Sequence, residues 1–172
     1  IHRAGRRRRR QGAAALPRLR LDTLEQPYAC AGRHRRIPGQ VLLARNAAWP
    51  GKMFALITGF MEAGESPQEG IAREVKEETN LDVRSTQLVG AYEFLRMNQV
   101  IIAYHVEAEG EVRLSPELAD YKLYDLADLR CWPAGTGYAL ADWLRTRGHE
   151  PIFFTPEENA ERRRGLDQAP RN

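Results

Sequence analysis

Arg73, Glu74, Glu77 and Glu78 crowd into the short run REVKEE. Two like charges four residues apart on a helix, as Glu74 and Glu78 would be, cost roughly 0.2–0.5 kcal/mol in water. Taking about 100° per residue and Ile71 as origin, Val75 falls near 40°, Glu78 near 340°, Glu74 near 300° and Glu77 near 240°. The acids therefore lie on the shoulder of the apolar stripe rather than opposite it. Carboxylates gathered beside a core edge suit a hard cation, and an oxygen-only ligand set favours Mg²⁺ or Mn²⁺. A solvated acidic helix face is the competing reading of the same geometry.

These side chains need a helix with a fixed start. Ser66 as N-cap, Pro67 at the first helical position and Glu69 three residues after the cap form a capping box. The helix runs to about Thr79, and Asn80 suits the left-handed position beyond its end. Before it, Gln40–Arg45 and Phe54–Ile57 read as strands, followed by the glycine-rich loop TGFMEAGES. After it, Leu88–Leu95 and Val100–Ala108 read as strands joined by a turn at Arg96–Gln99, with Glu111–Leu114 as an edge strand and Ala119–Tyr124 as another strand. A second helix over Tyr138–Arg147 places Leu140, Trp143 and Leu144 on one apolar face, and Ile152–Phe154 forms a last apolar hook. Past Pro156 the polar, Arg/Glu-rich text reads as a frayed helix or disorder.

With 172 residues, 42% apolar and 28% charged, the chain reads as one soluble globular domain. It divides into an arginine-rich irregular segment over 1–38, an acidic folded domain over 39–154 and a polar tail over 155–172. The net charge of +3 hides this division: eleven arginines face Asp22 and Glu25 within residues 1–38, a balance of +9, so residues 39–172 carry −6. No apolar run approaches the roughly 20 residues that span a bilayer, so no membrane partner is expected. No apolar stretch of about 7–15 residues follows the N-terminal arginines, so no signal peptide is expected. Cys30 and Cys131 have no metal-ligand spacing. A cytoplasmic setting fits these features.

The stretch Gly59–Leu81 resembles the Nudix box, whose pattern is G-x5-E-x7-R-E-U-x-E-E-x-G-U with U aliphatic. Gly59, Glu65, Arg73, Glu74, Val75, Glu77, Glu78 and Leu81 all fall in register. The final glycine is replaced by Asn80, which tolerates the same left-handed backbone. The resemblance implies an α/β fold, a Nudix α/β/α sandwich with a mixed sheet between the box helix and the Tyr138–Arg147 helix. It implies Glu74 and Glu78 as main ligands of Mg²⁺ or Mn²⁺, Glu77 as a further ligand or base, and Arg73 as the group that orients Glu74 or Glu65. Gly59 and Gly64 would let the loop approach metal and phosphate. Asp120, or else Glu117, is the candidate loop acid, with an ordinary surface acid as the alternative for each. Tyr92, Phe94 and Tyr104 are candidates for stacking on a base, with core packing as the alternative for each.

The implied reaction is hydrolysis of the pyrophosphate in a nucleoside diphosphate linked to a second group, such as ADP-ribose or NAD(H). The competing reading is a non-catalytic Nudix-fold regulator that senses nucleotides or binds nucleic acid through the basic arm. The crowded carboxylates favour catalysis, so a small nucleotide is the expected partner, nucleic acid is not, and a homodimer is compatible with the pattern.

The order of elements past the box is similar to the NADH pyrophosphatase branch, including SPEL-ADYKLYDLADL and the Pro-Ala-Gly-Thr run. That branch carries S-Q-P-W-P-F where this chain has Ala91–Arg96 (AYEFLR), so the resemblance does not extend to NADH as preferred substrate. The branch also opens with a zinc ribbon ending in CPxCG and a Val/Ala-rich strand, neither of which is written here, so zinc is not expected in the chain as written. Back-translating Leu16–Pro38 and reading one base later is compatible with CPACGWTLWNNPTPVLAAIVEY, which supplies both. Residues 1–38 are accordingly read as frame-shifted text, the alternative being a genuine basic arm. A frame-shifted chain lacks its first central strand and leaves an unpaired edge beside Val41–Ala44.

Overall fold

The computed structural model describes residues 24–33, 39–49 and 53–164. Its elements are β1 (Leu24–Arg33), β2 (Gln40–Asn46), β3 (Ile57–Phe60), α1 (Pro67–Thr79), β4 (Asp82–Phe94), β5 (Gln99–Glu109), β6 (Leu118–Asp125), β7 (Arg130–Cys131), α2 (Thr136–Thr146), β8 (Ile152–Phe153) and α3 (Pro156–Arg163). The main sheet has the order β4-β5-β1-β2-β6, and β3 pairs with β1. It is mixed, since β1 runs parallel to β5 and antiparallel to β2 and β3.

Strand alternation divides the core into two layers. Leu42 and Ala44 of β2 join Ile71 and Val75 of α1 and Val106 of β5 on one face. Val41 and Leu43 join Leu140, Ala141, Trp143 and Leu144 of α2 on the other. The expected apolar face of the second helix is the one α2 buries, and the architecture is the α/β/α sandwich. Cys131, a free thiol, lies within the second layer. Among the described residues no helix is long and apolar enough to cross a membrane.

Some elements differ from those the sequence predicts. Leu24–Arg33, expected to be irregular, forms the central strand β1, so Val41–Ala44 has no open edge there. Its parallel register with β5 skips Gln26 and Pro27, and proline brings no N–H to a ladder. The physical reason for the strand is backbone demand: β2 and β5 present unsatisfied N–H and C=O groups across the same gap, and pairing them needs no side-chain alternation. Residues 1–23 and 34–38, including most of the arginine run, lie outside the described residues.

β4 begins at Asp82, well before Leu88. Its polar first half pairs with β5 through the backbone while its side chains stay largely exposed, so the hydrophobic alternation is missing. The strand expected at Phe54–Ile57 moves forward to Ile57–Phe60, leaving Ala55 in an isolated bridge to Ala44. Glu111–Leu114 is not a strand at all. There, Arg113 N donates to Thr79 O (2.9 Å) and the following Ser115 N to Glu78 O (3.0 Å), satisfying carbonyls that the end of α1 leaves free. Finally, of the two readings of the tail past Pro156, the helix is the one found: α3 spans Pro156–Arg163, with Thr155 and Glu158 making a second capping box.

Candidate active site

The sequence builds the start of α1 as expected. The Ser66 side chain accepts from Glu69 N (3.3 Å) while the Glu69 carboxylate accepts from Ser66 N (2.7 Å). Asn80 closes the helix at φ 63°, the left-handed conformation anticipated for it. The helix is thereby fixed at both ends beside β3, with its acidic shoulder facing a cleft.

That cleft has a volume of about 430 Å³, and Gly59, Glu74, Glu77, Glu78 and Glu117 stand along its acidic side. Asn46, Trp49 and Phe60 contribute to the rest. Gly59 is needed for close approach: a Cβ there would lie 1.9 Å from the Glu74 carboxyl carbon. Gly64 serves differently, turning the loop at φ +95°, where a Cβ would meet no neighbour within 4 Å.

Arg73 organises the acids. Its Nε and Nη2 donate to the two carboxylate oxygens of Glu65 (3.1 and 2.9 Å), Nη1 donates to Glu74 (2.8 Å) and Glu77 (3.1 Å), and Nη2 also reaches Phe60 O (3.0 Å). This planar fork is geometry that a lysine lacks. The Glu65 carboxyl is held below its ordinary pKa, first by the Arg73 hydrogen bonds and then by the Glu62 amide.

Glu78 has no such help. Its residue is only 8% exposed, and among the described residues nothing gives its carboxylate a hydrogen bond or ion pair. Burial, then the charges of Glu74, Glu117 and Glu77, push its pKa up to about 8. Glu74 is also raised, by burial first, against the opposing pull of Arg73. A buried acid surrounded by acids is unfavourable until a cation joins it, and an all-carboxylate donor set matches a hard divalent ion. Among the described residues no three His, Cys, Asp or Glu side chains stand ready-clustered around one point. The cause is visible in the same contacts: Arg73 holds Glu74 and Glu77, so a cation would have to share their oxygens with the guanidinium.

Other expected site residues go elsewhere. Tyr92 donates to Asp142 of α2 (3.0 Å), and Phe94 lies within 3.4 Å of a Cβ position on Gly135, at the start of the same helix. Neither lines the acidic cleft, because both face the α2 layer. Tyr104 is a core residue. Asp120 pairs in register with Arg45 along β6 and does not line the cleft, whereas Glu117 does. The 113–115 segment delivers Glu117, a placement set by backbone bonds that no side-chain pattern announces. Trp49 and Asn46 are cleft residues that the sequence reading did not single out, and nothing in their spacing marks them.

The raised Glu78 pKa links protonation to stability. The folded, metal-free chain retains this proton between the ordinary value of 4.5 and about 8, while the unfolded chain has released it. The associated stability is thus complete below 4.5 and is lost as pH rises through 8. We expect the metal-free wild type to lose up to about 1.4 kcal/mol per pH unit relative to Glu78→Gln across this window. The variant is the proper reference, because buried His105, with its pKa lowered by burial and Arg147, works in the opposite direction. Thermal melts from about pH 5 to about pH 8.5 with chelator present measure this difference, and parallel curves for the two proteins would refute it.

A family model for the NUDIX domain matches residues 25–145, and the chain belongs to this family. Over 107 residues it is 32% identical to the NAD-capped RNA hydrolase NudC of Mycobacterium tuberculosis, covering 60% of this chain and 33% of that protein. Over 102 residues it is 35% identical to NudC of Pseudomonas entomophila, covering 58% of this chain and 37% of that protein. The chain spans only about a third of the length of these relatives. Among solved structures, a NUDIX hydrolase from Nitrosomonas europaea shares the fold at TM-score 0.59 and 23% identity, over 77% of this chain and 76% of that one. An ADP-ribose pyrophosphatase from Streptococcus suis does so at TM-score 0.58 and 20% identity, over 77% and 98%.

Proposed function

We propose that the chain is a divalent-metal-dependent pyrophosphohydrolase acting on a nucleoside diphosphate linked to a second group, with ADP-ribose and NAD(H) as leading candidates. The observation that carries this reading is Glu78, buried, unpartnered among the described residues and grouped with Glu74, Glu77 and Glu117 along one side of a cleft large enough for a nucleotide. Glu74 and Glu78 are the residues to hold Mg²⁺ or Mn²⁺, with Glu77 as a further ligand or base. When bound, such a cation would supply charge screening for the diphosphate and would acidify water for attack.

The chain's own residues supply the remainder. Arg73 fixes the directions of Glu74 and Glu77 while anchoring the Glu65 loop. Glu117 is the loop acid placed to accept a proton from the attacking water. The relatives named for hydrolysis of NAD-capped RNA add a capped 5′ end to the substrates worth testing.

Incubation of the full chain with ADP-ribose, NAD⁺, NADH and an NAD-capped RNA, with and without Mg²⁺ or Mn²⁺, tests the proposal. Metal-dependent release of a nucleoside monophosphate, or of a 5′-monophosphate RNA, is the expected result. Retention of nucleic acid without turnover of any substrate would favour the non-catalytic regulator instead.

A further inference from the structure

We propose that the chain carries a second ligand site, on the sheet face opposite the acidic cleft, that takes a nucleoside monophosphate group. The base would lie on aromatic walls and the phosphate on Arg130 and Arg162. The site is a cavity of about 280 Å³ lined by Phe54, Tyr124, Trp132, Phe154, Arg130 and Arg162. Leu43 closes one side of it, while the next residue, Ala44, lines the acidic cleft. Strand alternation therefore puts the two cavities on opposite faces of β2.

The charge arrangement is what asks for a ligand. Both guanidiniums lie against one ring: the Phe154 centroid is 4.6 Å from Arg130 Cζ and 4.1 Å from Arg162 Cζ. Arg162 also lies 5.3 Å from the Trp132 centroid. Glu158 answers the Arg130 charge through two bonds of 2.8 Å. Arg162 has no carboxylate partner among the described residues; it donates to a neutral acceptor, Phe54 O, at 3.0 Å. The Arg130 Nε is buried and lacks an acceptor among the described residues. Lys122 Nζ, 4.7 Å from the Phe54 centroid, brings a third cation to the same wall. Asp128 also lines the cavity but forms no ion pair with either arginine. Burial and the nearby Arg130 charge hold the Arg162 pKa below its usual value.

An anion here would answer the half-buried Arg162 charge, which has no carboxylate partner among the described residues. Guanidinium forks match phosphate oxygens, and flat bases stack on aromatic faces whatever their sequence. The volume lies just below the usual range of ligand pockets, which suits a single base with its phosphate. The same group occurs in a free mononucleotide and in an RNA strand. Because the site shares no residue with the acidic cleft, it can stand or fall separately from the hydrolase reading.

The test is a titration of the full ¹⁵N-labelled chain with AMP in EDTA, so that no metal–nucleotide complex forms in the acidic cleft. The reporter is the Trp132 indole N–H, which donates to Thr136 Oγ1 at 3.0 Å. Trp49, in the acidic cleft, and Trp143, in the core, are internal controls. The expected result is a saturable shift of Trp132 alone, half-complete below about 1 mM AMP, with adenosine and inorganic phosphate each at least tenfold weaker. Arg162→Met, which keeps an apolar chain on the rings, should weaken AMP at least tenfold. A short oligoribonucleotide that binds more tightly than AMP with the same Trp132 shift assigns the site to RNA; equal or weaker binding assigns it to the free nucleotide. A Trp132 signal unmoved by either ligand overturns the proposal, as does a folded Arg162→Met that binds AMP like wild type. Should that variant fail to fold, the wild-type comparison of AMP with adenosine and phosphate decides alone.

Discussion

Glu78→Gln should lower kcat at saturating Mg²⁺ by about 10³-fold or more, the equivalent of roughly 4 kcal/mol of transition-state stabilisation. The substitution keeps the shape of the side chain and removes only its capacity for negative charge. Glutamate at this position is costly to the metal-free fold, since burial and three neighbouring carboxylates all oppose its ionisation. The same variant should therefore melt higher than wild type in chelator at about pH 8 while losing activity. That opposite movement separates loss of a ligand from loss of structure, which would depress both. Calorimetric titration with Mn²⁺ should show at least a tenfold loss of affinity. A variant that retains more than a tenth of wild-type kcat, or binds Mn²⁺ unchanged, would remove Glu78 from the chemistry.

Arg73→Met should have the largest effect on stability. One guanidinium satisfies Glu65, Glu74 and Glu77 together with the Phe60 carbonyl. Its removal takes the countercharge from three acids, leaving Glu65 with only the Glu62 amide, and loosens the loop before α1. The side chain is 24% exposed, so solvent screens part of the cost. A loss of about 2–3 kcal/mol, or roughly 5–10 °C in Tm, is expected for the metal-free protein. Mg²⁺ should restore part of it, by neutralising Glu74 and Glu77, without re-anchoring Glu65. Arg73→Lys should recover less than half, because a point charge cannot bridge the Glu65 fork and Glu74 at once. Scanning calorimetry with and without Mg²⁺ measures both, and a methionine variant melting within a degree or two of wild type would show that Arg73 is a surface pair of no consequence.

The parts of the molecule that sequence disclosed are those whose information is local. The capping box at Ser66 and Glu69, the left-handed Asn80 and the short apolar run in the strand Gln40–Arg45 each follow from side chains close together in the chain, and each is found in the structure. The crowding of Glu74, Glu77 and Glu78 beside the apolar stripe was legible for the same reason. Elements set by backbone pairing were not. Leu24–Arg33 has no alternation and includes Pro27, yet it fills the slot between β2 and β5. The polar half of β4 is likewise held by β5. Glu117 reaches the cleft, and Asp120 does not, through two backbone bonds to the end of α1. Tyr92 and Phe94 show the converse limit: aromatic residues on strand-like text near a motif carry no label for the face on which they emerge. Here they emerge toward α2.

The union of the 113–115 segment with the last turn of α1 is made by peptide groups alone, Arg113 N to Thr79 O and Ser115 N to Glu78 O. Position 117 is thus held at the cleft irrespective of which side chain occupies 113, while at 115 the Ser115 hydroxyl also accepts from the Glu117 amide (3.3 Å). Every residue except proline carries the amide the joint requires. Position 113 is therefore free to drift chemically while the spacing between the helix acids and the loop acid stays unchanged.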